Sequence, residues 1–137
     1  MLRKAYDQGV PILCGTESGF SVTPYGQWHY REMEILMKEM GFTALEAIKS
    51  STSVNAYAMR LEGEIGRVEE GAFADLIIVS ADPIKDITSL GDQENIKMVM
   101  KSGEIQGFEE EKERLSIPGW RVVNYGQILS KDLVNKK

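Results

Sequence analysis

Few side chains in this 137-residue sequence can do chemistry at neutral pH. His29 is the one histidine, and it alone carries an unperturbed pKa near neutrality. Cys14 is the one cysteine; it sits inside an apolar run, where a thiol is buried and inert rather than nucleophilic. Ser18 would need a positioned base with an orienting acid to act as a nucleophile. The sequence offers no G-x-S-x-G elbow, and His29 stands eleven residues further along. Glu17, between Thr16 and Ser18, places a carboxylate directly after the apolar run, where it is either solvated or accepting loop N–H bonds. As an acid-base group or metal ligand it needs further ligands from elsewhere. Met33, Met37 and Met40 recur at helical spacing and read as core fill, not a metal box. Phosphate loops of the G-x-x-x-x-G-K-[ST] or G-x-G-x-x-G type are missing from the sequence.

These residues need elements to hold them. Leu2 to Gln8 reads as a helix ending at Gly9 in the C′ position. Val10-Pro11-Ile12-Leu13-Cys14 reads as a strand buried on both faces, as in a parallel sheet. After a loop from Glu17 to Gly26, Trp28 to Met40 has the apolar spacing of an amphipathic helix, stopped by Gly41. Thr43-Ala44-Leu45-Glu46 is a capping box opening a second helix to about Ser50. Ser51 or Thr52 should cap a third, running through Val54, Ala56, Tyr57 and Ala58 to Leu61.

The pattern changes at Glu62-Gly63. Asp75-Leu76-Ile77-Ile78-Val79 is a β-branched strand stopped by Asp82-Pro83. Ile96 to Met100 and Glu104 to Gln106 flank Lys101-Ser102-Gly103, a tight-hairpin signal. Glu109 to Arg114 is a mixed charge run that reads as a solvated face. Ile117-Pro118-Gly119-Trp120 marks a turn, and Gln127 to Val134 reads as a short terminal helix.

Composition bounds the function class. A net charge of -5 from 16 basic and 21 acidic residues gives no positive field for phosphates, which argues against nucleic acid. A lone cysteine forms no intramolecular disulfide and points to a reducing, cytoplasmic compartment. No run approaches 18 apolar residues, so a membrane span is not expected.

The ordered set Gly15-Thr16-Glu17-Ser18-Gly19, Ser21-Val22-Thr23-Pro24-Tyr25-Gly26-Gln27-Trp28-His29 and Arg31-Glu32 resembles the last barrel strand and following loop of metal-dependent amidohydrolases. The nearest subgroup is the imidazolonepropionase-like and prolidase-like one. The resemblance continues through Gly41, Ala44, Glu46-Ala47-Ile48, Thr52 and Asn55-Ala56 to Gly66-Arg67-Val68-Glu69-Glu70-Gly71-Ala72-Phe73-Ala74-Asp75-Leu76, which is similar to the family's G-x-V-x-x-G-x-x-A-D-L segment.

That resemblance implies an α/β chain: the C-terminal remnant of a (β/α)₈ TIM barrel plus part of its flanking small β-sandwich. A barrel takes about 250 residues, so one βα unit and no closed barrel is expected here. The implied division is residues 1–61 for the last barrel strand and following helices, 62–106 for the β-hairpin part of the composite sandwich, and 107–137 for a C-terminal extension. Glu17 falls at the family's acid, which touches the metal and takes a proton from the attacking water. The family pattern has Asp there, shorter by a methylene or about 1.5 Å. By the same resemblance Thr16, Ser18 and His29 lie on the substrate side, and Glu17 would be a metal ligand only in a completed barrel. The family's remaining ligands are an H-x-H pair, a Lys or Glu and further His residues.

The implied function is hydrolysis of C–N bonds in amides, cyclic imides or dipeptides, by a whole enzyme holding a divalent metal, zinc first. The chain alone is expected to bind none and to be inactive. The other reading is a non-enzymatic α+β module that self-associates or binds a partner chain. Small-molecule substrate and homo-oligomer are the expected partners, with no nucleic acid and no membrane.

Overall fold

A computed structural model describes residues 2–18, 23 and 28–107 of the chain. The charge run at 109–114, the turn at 117–120 and the expected helix at 127–134 lie outside the described residues, as does most of the loop between Ser18 and Trp28. Among the described residues four α-helices come first and three strands follow, with two 3₁₀ turns between the first strand and the second.

Helix α1, Leu2–Asp7, ends in paired backbone bonds, Gly9 N–H to Tyr6 O and Val10 N–H to Ala5 O. Closing it this way puts residue 9 at φ +86, a region where glycine carries no Cβ penalty. Arg3 braces the helix from outside, with its guanidinium 2.8 Å from Asp7 and 3.0 Å from the Gly41 carbonyl.

The segment after α1 departs from expectation. Residues 10–16 are extended, but they join no ladder, and their side chains alternate between half-buried (Ile12, Cys14, Thr16) and exposed (Val10, Leu13). A strand of a parallel sheet needs strands paired along its edges as well as helices over its faces, and none of the described strands lies beside this one. What holds it is α2 and α3: the Cys14 N–H donates to Ser50 O at 3.2 Å, and Gly15 N–H donates to the Glu32 carboxylate at 3.0 Å.

Helix α2, Trp28–Met40, buries Met33 and Leu36, with Met37 and Met40 packed beside them. Helix α3, Ala44–Ser51, carries the expected capping box: Thr43 Oγ1 accepts from Glu46 N–H, and Glu46 Oε2 accepts from Thr43 N–H at 2.7 Å. Together with Phe42, Ala47 and Ile87, the buried residues of α2 form the core. Helix α4, Ser53–Met59, differs from its expected form at both ends. Neither hydroxyl at its start caps it, because Ser51 and Thr52 both donate back to the Ile48 carbonyl of α3. Serine and threonine hydroxyls compete for the preceding turn in this way. At its end Arg60 turns left-handed at φ +60, and Leu61 N–H closes onto Ala56 O. Leu61, which fits the helical spacing, is therefore the residue after the stop.

Three strands follow as an antiparallel sheet in the order β1-β2-β3: β1 Leu76–Val79, β2 Ile96–Lys101 and β3 Glu104–Gln106. Lys101 faces Glu104 across a two-residue loop in which Ser102 and Gly103 have φ of +51 and +83. Positive φ at both positions marks the hairpin turn whose twist matches that of the strands. Between β1 and β2, two 3₁₀ turns, Ile87–Gly91 and Gln93–Asn95, are capped by the carboxylates of Asp86 and Asp92. The first turn drives Ile87 into the helical core and so joins the two halves.

Candidate functional site

The candidate residues cluster where the extended segment ends and α2 begins. Glu17 has φ +46, a left-handed backbone uncommon for a residue with a long side chain. Two bonds flank this conformation. Upstream, Gly15 N–H is held by Glu32 Oε1; downstream, the Thr23 hydroxyl donates to the Glu17 carbonyl at 3.1 Å. The Glu17 side chain itself is exposed.

Thr16 and Ser18, both half-buried, face the same way and share a hydroxyl–hydroxyl bond of 2.9 Å. His29, at the start of α2, is exposed, with its ring edge-on to Tyr30 at 5.7 Å. Ser18 and His29 share no hydrogen bond among the described residues; the Ser18 hydroxyl pairs with that of Thr16 instead. The Cys14 thiol is pushed up to about 12 by burial, with the nearby Glu32 carboxylate adding to it. It is an unreactive group.

Thr16, His29, Cys14 and Met33 line an open cleft of about 1090 Å³ together with Leu76, Ile77, Val79 and Ile96. Ser51, Thr52, Asn55, Lys49 and Arg67 supply polar groups to the same lining. Thr16 and His29 thus meet at one surface, whereas Glu17 and Ser18 are not among the described lining residues. No group of three or more His, Cys, Asp or Glu side chains converges among the described residues. A divalent ion does not fit the residues present: one exposed carboxylate is not the three- or four-ligand shell such an ion needs.

Glu32 and Thr23 are the positions where reading the sequence fell short. Both belong to the motif run, but neither stood out as a site residue, because their contacts with Gly15 and Glu17 span 17 and 6 residues and leave no local pattern.

The family model described as the amidohydrolase family matches residues 1–106. The chain belongs to the amidohydrolase family. None of the curated proteins compared with it matches. Among solved structures, this amidohydrolase chain is similar to a protein of Bifidobacterium longum assigned as a prolidase, at 32% identity and a TM-score of 0.68. It is also similar to a Xaa-Pro dipeptidase with methionine bound in its active site, at 39% identity and a TM-score of 0.64. A third is the ochratoxinase of A. niger, at 27% identity and a TM-score of 0.64. These cover 76%, 76% and 75% of the chain, but the chain spans only 25%, 24% and 23% of them. No described helix of this amidohydrolase chain is long and apolar enough to cross a membrane.

Proposed function

We propose that the chain is the C-terminal segment of a cytoplasmic hydrolase of C–N bonds in small amides, cyclic imides or dipeptides, and that it is inactive by itself. The observation that carries this reading is the family match over residues 1–106; within it we assign the acid role to Glu17, which follows the extended segment exposed and in a left-handed conformation. Neighbours that include a Xaa-Pro dipeptidase and a protein assigned as a prolidase favour dipeptides within the substrate class.

In this reading the Glu17 carboxylate accepts a proton from the attacking water as the water oxygen joins the carbonyl carbon. It then delivers that proton to the nitrogen as the C–N bond breaks, leaving an acid and an amine. Thr16 and His29, at the cleft wall, orient substrate. Any divalent metal, zinc first, belongs to the whole enzyme, since the residues present here do not fit one.

The test is a longer protein carrying this segment, assayed on dipeptides beside the 137-residue chain. The chain alone should show no turnover. In the longer protein Glu17→Ala should lose about 10² to 10⁴-fold. Glu17→Asp should preserve or raise turnover, since Asp is shorter and enters left-handed backbone more readily. Equal rates for Glu, Asp and Ala would end the assignment.

A second reading, a self-associating non-enzymatic module, is favoured by the outer edge of β1, which pairs with no described strand. Ile77 and Ile78 on that strand are 63% and 49% exposed. An apolar, uncharged edge strand is a template for pairing. Light scattering should then give a mass above the 15.4 kDa of one chain; a sharp monomer at all concentrations would remove this reading.

A further inference from the structure

We infer that Glu32 is a positioning residue for the acid at position 17, holding the backbone just upstream so that Glu17 keeps its left-handed conformation. The inference rests on the proposed reading of Glu17 as the proton-accepting carboxylate.

The Glu32 carboxylate reaches from the first turns of α2 to the end of the extended segment and accepts the Gly15 N–H through Oε1 at 3.0 Å. Its other oxygen, Oε2, is buried and has no hydrogen-bond partner among the described residues. Sequestering a carboxylate oxygen without a donor costs stability, and one bond to a backbone amide returns only part of that cost. A tie serving the fold alone gains nothing from such a group. What the tie does fix is the chain direction two residues before Glu17, whose φ of +46 is itself unfavourable. The Thr23 hydroxyl secures the other side by donating to the Glu17 carbonyl. The acid is therefore gripped by its main chain on both sides while its side chain stays exposed. Such a grip matters for a group that must meet a reacting atom, because a displacement near 1 Å lowers rates by about 10².

The experiment uses the longer enzyme that carries this segment, with kcat and KM measured on a dipeptide. Glu32→Ala should lower kcat about 10 to 100-fold with KM within about twofold, since Glu32 lies away from substrate. Glu32→Gln, which keeps an acceptor for Gly15, should recover most of the lost kcat. If Glu32→Ala fails to fold, Thr23→Val tests the same grip at an exposed bond and should lower kcat without moving the melting temperature. Wild-type kcat in Glu32→Ala, or in Thr23→Val where the alanine variant does not fold, would overturn the inference while the role of Glu17 stands. A Gln variant as impaired as Ala would also overturn it, because the charge and not the hold on Gly15 would then matter. If Glu17→Ala itself stays active, the underlying reading fails instead.

Discussion

Asp75 Oδ1 accepts a hydrogen bond from the backbone N–H of Ser102 at 2.7 Å, across 27 residues of sequence. The same turn is tied by Gly103 N–H donating to Ala74 O at 3.1 Å. The Ala-Asp-Leu portion of the family-like segment thus clasps the tip of the β2-β3 hairpin to the start of β1. Asp75→Ala should destabilise the chain by about 1 kcal/mol, read by urea denaturation, and should speed exchange of the Ser102 amide in particular. A Ser102 amide that exchanges at the wild-type rate would show the clasp to be immaterial.

The turn itself is improvable. Ser102 sits at φ +51, where a non-glycine residue other than Asn or Asp is strained. Ser102→Asn restores the Asn-Gly pair favoured in this turn type and should stabilise by about 0.5 to 1 kcal/mol, seen as a higher denaturation midpoint.

Gly66 permits no such freedom. Its φ is +79, and a Cβ there would lie 2.9 Å from both the carbonyl carbon and the oxygen of Thr52. The chain leaving α4 passes that closely over the kink between α3 and α4. Gly66→Ala should cost about 2 kcal/mol or more by strain and backbone displacement, whereas Gly71→Ala, with nothing within 4 Å of its Cβ, should cost only the φ penalty. Thermal melts of the two variants side by side check the difference.

Glu34 gives a pH dependence. Its side chain is nearly buried on α2, with Lys38 Nζ at 2.6 Å and Arg31 Nη1 at 2.9 Å. The hydrogen bond from Lys38, then that from Arg31, holds its carboxyl below the usual range against the opposing effect of burial. A depressed carboxyl contributes stability that is complete above the unfolded value of about 4.3 and is lost as pH falls through the folded one. Melting temperature should therefore fall more steeply from pH 5 to pH 3 in the wild type than in Glu34→Gln.

Cys14 should resist alkylation. With its thiol pushed up to about 12, the thiolate fraction at pH 8 is about 10³-fold below that of an unfolded thiol. Iodoacetamide should label the native chain slowly and the urea-unfolded chain quickly; equal rates would contradict the buried environment.

Much of this architecture is legible in the residues because its causes are local. The capping box of Thr43 and Glu46, the spacing of Met33, Leu36 and Met40, and the Ser102-Gly103 turn each act over four residues or fewer. Where the structure departs from the pattern, the cause is remote or competitive. The run from Val10 to Cys14 has strand composition, but pairing depends on a neighbouring strand that the described residues do not provide. Thr52 has a capping side chain, yet its hydroxyl turns back and donates to the Ile48 carbonyl. The surroundings of Glu17 depend on Glu32, which α2 carries to Gly15 across 17 residues, and on Thr23, whose bond to Glu17 leaves no recognisable pattern.

The 3₁₀ turn at Ile87–Gly91 carries one more implication. A Cβ on Gly91 would fall 2.4 Å from the ring of Tyr30, so the ring rests against bare main chain at the seam between α2 and the 3₁₀ turn. An aromatic ring in that slot rotates about its axis only when the seam opens, and its flip rate becomes a clock for that breathing motion. Nuclear magnetic resonance line shapes of the Tyr30 ring would time it, and Gly91→Ala, by wedging the seam apart, would set the clock running faster.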